Sequence, residues 1–199
     1  MLIAPKRIPF ARIARNLISR WRSFAGDRGG SVFVELAFTI PILAGILVGG
    51  VEIGRYLMIH QKLSRLVDST NDLVAQKRTL STADLDDIFA SAEYVLDPFE
   101  LGPDGVIFIS SVTAVPDESP AVDWQYSGAG SGQASSLVGD PGETANLPQG
   151  FIMDDGENVV IAEIFYDYRP EIFERFTSPK TIYYRVIDRP RFGPLSQLQ

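Results

Sequence analysis

Few residues in this sequence have the type and spacing to do chemistry, and the clearest pair stands at the mouth of an apolar run. Gly30 and Glu35 precede a stretch, Leu36 to Val51, that holds no charged residue. A carboxylate at the entrance to hydrocarbon is costly and needs a positive partner. Cleavage between Gly30 and Ser31 supplies one, because the new α-amino group of Ser31 would lie one helical turn before Glu35. The partner acid belongs to the same subunit or to a neighbour. Gly-x-x-x-x-Glu alone is a weak pattern, and its place between a basic flank and a span is what makes it specific.

The other candidates carry less. His60 is the only histidine, and no Gly-x-Ser-x-Gly accompanies it, so a Ser-His-Asp arrangement has no nucleophile elbow. It is expected as a solvated surface residue. Gly128-Ala129-Gly130-Ser131-Gly132 lacks the lysine and the strand-to-helix setting of a phosphate loop. Asp154-Asp155-Gly156-Glu157-Asn158 offers oxygens to Ca2+ but departs from EF-hand spacing, and it reads as a turn before a strand. Asp84, Asp86 and Asp87 suit the first turn of a helix, where acids complement the dipole. No cysteine is present, which removes disulfides, thiolate zinc sites and cysteine nucleophiles. The expectation is a protein that is not an enzyme and takes no cofactor, metal or small-molecule substrate.

The elements that position Gly30 and Glu35 follow from charge and hydropathy. Seven of the 18 Lys and Arg (Lys6, Arg7, Arg12, Arg15, Arg20, Arg22, Arg28) precede Ser31, against one acid, Asp27. The remainder carries 11 basic and 24 acidic residues, a balance of -13 that disfavours a nucleic-acid partner. Residues 1–30 read as a basic cytoplasmic leader, either a solvated flank or a short amphipathic helix on anionic headgroups. Ser31 to Val51 matches the ~20 residues that cross ~30 Å of hydrocarbon. The positive flank orients it with the N-terminus inside. The run is too long, and lacks an Ala-x-Ala-like site, for an ordinary cleaved secretory signal. A single-pass protein of a bacterial inner membrane results, its C-terminal part periplasmic or extracellular. Ala37, Pro41, Gly45 and Gly49 recur every four residues, and Gly50 and Gly54 form a Gly-x-x-x-Gly, so small residues line one face for helix packing. Pro41 removes one backbone N–H and is expected to loosen or kink the helix.

Past Glu52-Ile53-Gly54-Arg55 the helical period continues through Ile59, Leu63, Leu66, Val67, Thr70, Leu73 and Val74, so the helix should run to about Lys77, within a segment 31–78. Ser81 and Asp84 read as a capping pair opening a second helix. Leu85, Ile88, Phe89, Ala92 and Val95 should face inward, and Pro98 ends that helix. The period then turns strand-like over 106–115, 122–126, 159–168 and 181–187. Between them 127–150 is rich in Gly, Ser and Pro and reads as a flexible loop. Two helices followed by strands predict an α+β, pilin-like domain over 79–199, with an antiparallel sheet packed on the long helix.

Gly30, Val34-Glu35-Leu36-Ala37, Pro41 and Glu52-x-Gly54-Arg55 resemble the TadE-like pseudopilins of the tight-adherence (Flp-type) pilus apparatus. The likeness covers Gly30 to Arg55 closely, with one departure at Leu36, where the family often carries an aromatic residue. A helix starting at Leu80 to Asp84, the Pro98-Phe99 stop and the strand Ala162 to Tyr168 are similar in order and spacing. The resemblance implies an inner-membrane pseudopilin or minor pilin, cut by a prepilin peptidase after Gly30. Ser31 becomes the new N-terminus, Glu35 serves subunit alignment or peptidase recognition, and the partners are other pilins of the apparatus. The alternative, of a different class, is an uncleaved signal-anchored protein whose outer domain binds a ligand or surface.

Overall fold

The computed structural model describes residues 29–171 and 178–199, so the basic leader lies, up to residue 28, outside the described residues. Among the described residues two helices, α1 (Gly29–Ala75) and α2 (Thr82–Leu96), are followed by four strands: β1 (Gly105–Thr113), β2 (Ala121–Gly128), β3 (Asn158–Tyr168) and β4 (Lys180–Asp188). The predicted α+β class holds, and the strands form one antiparallel sheet in the order β2-β1-β3-β4. The chain divides into two compact units, Met1–Gly50 and Val51–Gln199.

In the first unit the described residues belong to α1, and most of their apolar side chains are exposed, Phe33 and Phe38 by more than 70%. None of its apolar stretch is buried, and α1 is the one described helix long and apolar enough to cross a membrane. Pro41 sits inside the helix without ending it.

In the second unit α1 buries Ile59, Leu63, Leu66, Val67, Thr70 and Val74. Leu73, expected on that face, is 44% exposed, because steps of three and four from Val67 carry the buried stripe through Thr70 and Asn71 to Val74 instead. The helix ends at Ala75, short of Lys77. At α2 the capping box forms: Ser81 Oγ accepts from Asp84 N at 3.2 Å, and Asp84 Oδ2 accepts from Ser81 N at 3.1 Å. Leu85, Ile88, Phe89, Ala92 and Leu96 are buried, whereas Val95 is 37% exposed.

Alternation along β3 separates two cores. Val160, Ala162, Ile164, Tyr166 and Tyr168 join the helices; Val159 and Ile161 turn to the opposite face with Val112, Val122, Val138 and Ala145. A register shift between Ser111 and Val112 lets Trp124 enter the helix-side core while Val122, two residues away, enters the other.

No strand forms between Gly128 and Asn158, yet this segment has specific ties. Ser131 N donates to Gly102 O at 2.8 Å and Gly132 N to Gly105 O at 3.0 Å. A Cβ on Gly132 would meet the Gly105 carbonyl carbon and oxygen at 2.9 Å, which is why glycine stands there. The tail after Pro190 is equally tied: Trp124 Nε1 donates to Leu195 O at 2.6 Å, Leu195 N to Asn158 Oδ1 at 2.9 Å, and Gln199 N to Leu80 O at 2.9 Å.

Candidate functional site

Gly30, Ser31, Glu35, Ala37, Pro41, Gly45, Gly49 and Gly50 all lie on α1. From Ser31 to Glu35 is one turn, ~6 Å of rise. Glu35 is exposed, and a Cβ built on Gly30, Gly45, Gly49 or Gly50 meets nothing within 4 Å. Within the described residues of the first unit these positions present backbone and small side chains outward, the arrangement that close helix approach requires.

In the second unit Gly54 also has open space about it, but its neighbours Glu52 and Arg55 turn inward. Spaced three apart, they share one helical face. Glu52 is 8% exposed and its Oε1 accepts from the hydroxyl of Tyr168, at the end of β3, at 2.5 Å. Burial, reinforced by the bond to Glu52, pushes the Tyr168 phenol up to about 12. Arg55 donates to Glu171 Oε1 at 2.6 Å and lies 5.4 Å from the Phe99 ring centre, where its charge meets the ring face. The motif at the end of the apolar run therefore fastens α1 to β3 and to the loop after α2.

One turn on, His60 departs from its expected place in solvent. Its Nδ1 lies 2.8 Å from the Tyr184 hydroxyl, its ring meets Tyr56 edge-on at 4.5 Å, and it is half-buried. Beside it a cavity of about 240 Å³ opens between Ile53, Tyr56, Tyr168, Pro170 and Lys180. Sequence reasoning missed this cluster because its two sides are more than a hundred residues apart in the chain.

A second buried acid, Glu163, was not singled out from the sequence either. It stands on β3 with no exposed surface; it accepts from Tyr183 Oη at 2.6 Å, from Leu137 N at 3.2 Å and from the Ser136 hydroxyl. Tyr183 is raised above its ordinary value, first by burial and then by this bond. The signal was present, a lone acid inside the apolar strand Val159 to Tyr168, where burial demands donors.

Among the described residues no group of three or more His, Asp or Glu is placed to hold a metal. In the acidic turn Glu157 is taken by Arg189, and its Oε2 accepts from Asp154 N at 2.8 Å.

No curated protein and no solved structure matches the chain. Residues 30–70 match the family model described as TadE-like protein, so the chain is similar to that family over the stretch that holds Gly30, Glu35, Pro41 and Glu52 to Arg55.

Proposed function

We propose that this protein is a pseudopilin or minor pilin that takes part in assembling a Flp-type, tight-adherence pilus or a related secretion machine. The observation that carries the reading is the coincidence of the TadE-like match at 30–70 with a helix that contains the Gly30–Ser31 bond and whose exposed apolar stretch carries one acid, Glu35, a turn after that bond. The protein works by association rather than catalysis. It crosses the inner membrane once, basic end inside, and a prepilin peptidase cuts after Gly30. The Ser31 amine then pairs with Glu35 of its own or a neighbouring subunit, fixing register while the open face at Ala37, Pro41, Gly45 and Gly49 receives other helices. Glu52 and Arg55 hold the extracytoplasmic domain to its helix, so that pull on one is transmitted to the other.

The test is the intact mass of the membrane-extracted protein from cells with and without the peptidase. A chain beginning at Ser31 only where the peptidase is active supports the proposal. A chain beginning at Met1 in both strains overturns processing and favours the uncleaved anchor.

A further inference from the structure

We propose that the membrane boundary on α1 lies near Gln61, about two turns beyond the point where charges first appear, and that lipid covers the outer helix face at Val51, Ile53, Leu57 and Met58. The inference rests on the reading of α1 as a span. By sequence the apolar run stops at Glu52. In the structure the groups that end it are withdrawn from the surface: Glu52 is buried against Tyr168, and Arg55 and Tyr56 are half-buried against Glu171, Phe99 and Tyr168. What remains outside is apolar. Val51, Ile53, Leu57 and Met58 are between 46% and 63% exposed, and Gly54 beside them is open. The first polar residues on that face are Gln61 and Arg65, both exposed.

Lipid is the occupant because the patch follows in sequence, within the same helical segment, directly after the residues that the span already requires to be covered by hydrocarbon. From Glu52 to Met58 is ~9 Å of helix, enough to pass through an interfacial layer. Two neighbours fit that depth. Lys62 Nζ reaches the Val95 carbonyl at 3.0 Å, which brings the end of α2 to the level of Lys62, and Tyr94 there is 84% exposed. An exposed tyrosine beside a lysine suits the headgroup zone. Asp97, Glu100 and Glu171, also at this end and exposed, select a zwitterionic surface over an anionic one.

The chain has no cysteine, so single-cysteine variants label at one site. Leu47→Cys, Leu57→Cys, Met58→Cys and Arg65→Cys of the full chain, spin-labelled and placed one per phosphatidylcholine nanodisc, are read by collision with oxygen and with a water-soluble nickel chelate. The expected result is oxygen-dominated relaxation at 47, 57 and 58, with a several-fold lower oxygen-to-nickel ratio at 65. Lipid contact at 47 with water contact at 57 and 58 overturns the boundary alone. Water contact at 47 overturns the span and the boundary with it. Low collision with both reagents at 57 and 58, appearing with dipolar broadening when discs hold two chains, overturns lipid in favour of a second copy.

Discussion

The hydroxyl of Tyr168 donates to the carboxylate of Glu52 across 116 residues of chain, and the two together bind the end of β3 to the helix at the first polar turn after the apolar run. A buried acid adds little net stability over an apolar pair of equal volume, but it tolerates few alternatives, since any register that strands it leaves a desolvated charge. Arg55 on the same face makes the choice stricter by taking Phe99 and Glu171. This is why charges stand immediately after the apolar run: they set where on the helix the domain is attached.

Tyr168→Phe removes the donor and is expected to cost about 1–3 kcal/mol, read as a lower denaturant midpoint of the detergent-extracted chain with membrane insertion unchanged. The pH dependence has a definite sign. Because the folded phenol is raised to about 12, the neutral form is favoured by folding. Its contribution is complete below the ordinary value near 10 and is lost as pH rises through about 12. The Phe variant should therefore lose less stability than the parent over that window, and equal losses would remove the role assigned to Tyr168.

Glu163 holds Ser136, Leu137 and Tyr183, and through them the segment that covers the outer core of Val112, Val122, Val159 and Ile161. Glu163→Ala strands these donors and opens a cavity. A loss of about 2–4 kcal/mol is expected, together with faster proteolysis between Gln133 and Asn146. Unchanged cleavage there would show that Val138 and Ala145 anchor the segment without the acid.

The elements were legible because local signals agreed with the global fold: the period of Ile59 to Val74, the Ser81–Asp84 cap and the β-branched runs each named their element. Gly30, Glu35 and the small-residue spacing could be named in order because they lie along one helix. The partners of Glu52, His60 and Glu163 could not, because each is supplied by a strand or loop brought near only by tertiary structure. Glycine and serine between 127 and 150 signalled a loop but not its attachment to Gly102 and Gly105, which uses backbone groups that any sequence carries.

Asn158 is a crossing point. Its Nδ2 donates to Ser111 Oγ at 2.8 Å and Thr113 Oγ1 at 3.0 Å, while its Oδ1 accepts from Leu195 N. Asn158→Ala should release the tail and leave Leu195 N without its acceptor, costing about 2–3 kcal/mol. Because Trp124 Nε1 is bound to Leu195 O, the same variant should speed exchange of the Trp124 indole proton; protection equal to the parent's would show that Leu195 is held by burial alone.

Glu35→Leu tests the charge at the head of α1. Leucine improves the hydrocarbon fit, so insertion should be retained or strengthened. On the proposed mechanism filament assembly should be lost, because an amine at Ser31 would have no acid to meet. Normal piliation in this variant, scored by electron microscopy of sheared filaments, would remove Glu35 from the proposed mechanism.

The cap of α2 gives the acid limb. Lys77 and Ser81 bond to the Asp84 carboxylate and hold its pKa at about 2, below the ordinary 3.8. A depressed carboxyl contributes stability that is fully present above its unfolded value and disappears as pH falls through its folded one. Amide exchange at Asp84 and Leu85, whose N–H groups meet Ser81 Oγ and Ser81 O, should therefore be flat from neutral pH to about 4 and accelerate between about 4 and 2, relative to more central α2 amides. In Asp84→Asn the acceleration should vanish while Ser81 Oγ still caps the helix. An acceleration that survives in Asn would assign it to another acid, since Asp86 and Asp87 share the same turn.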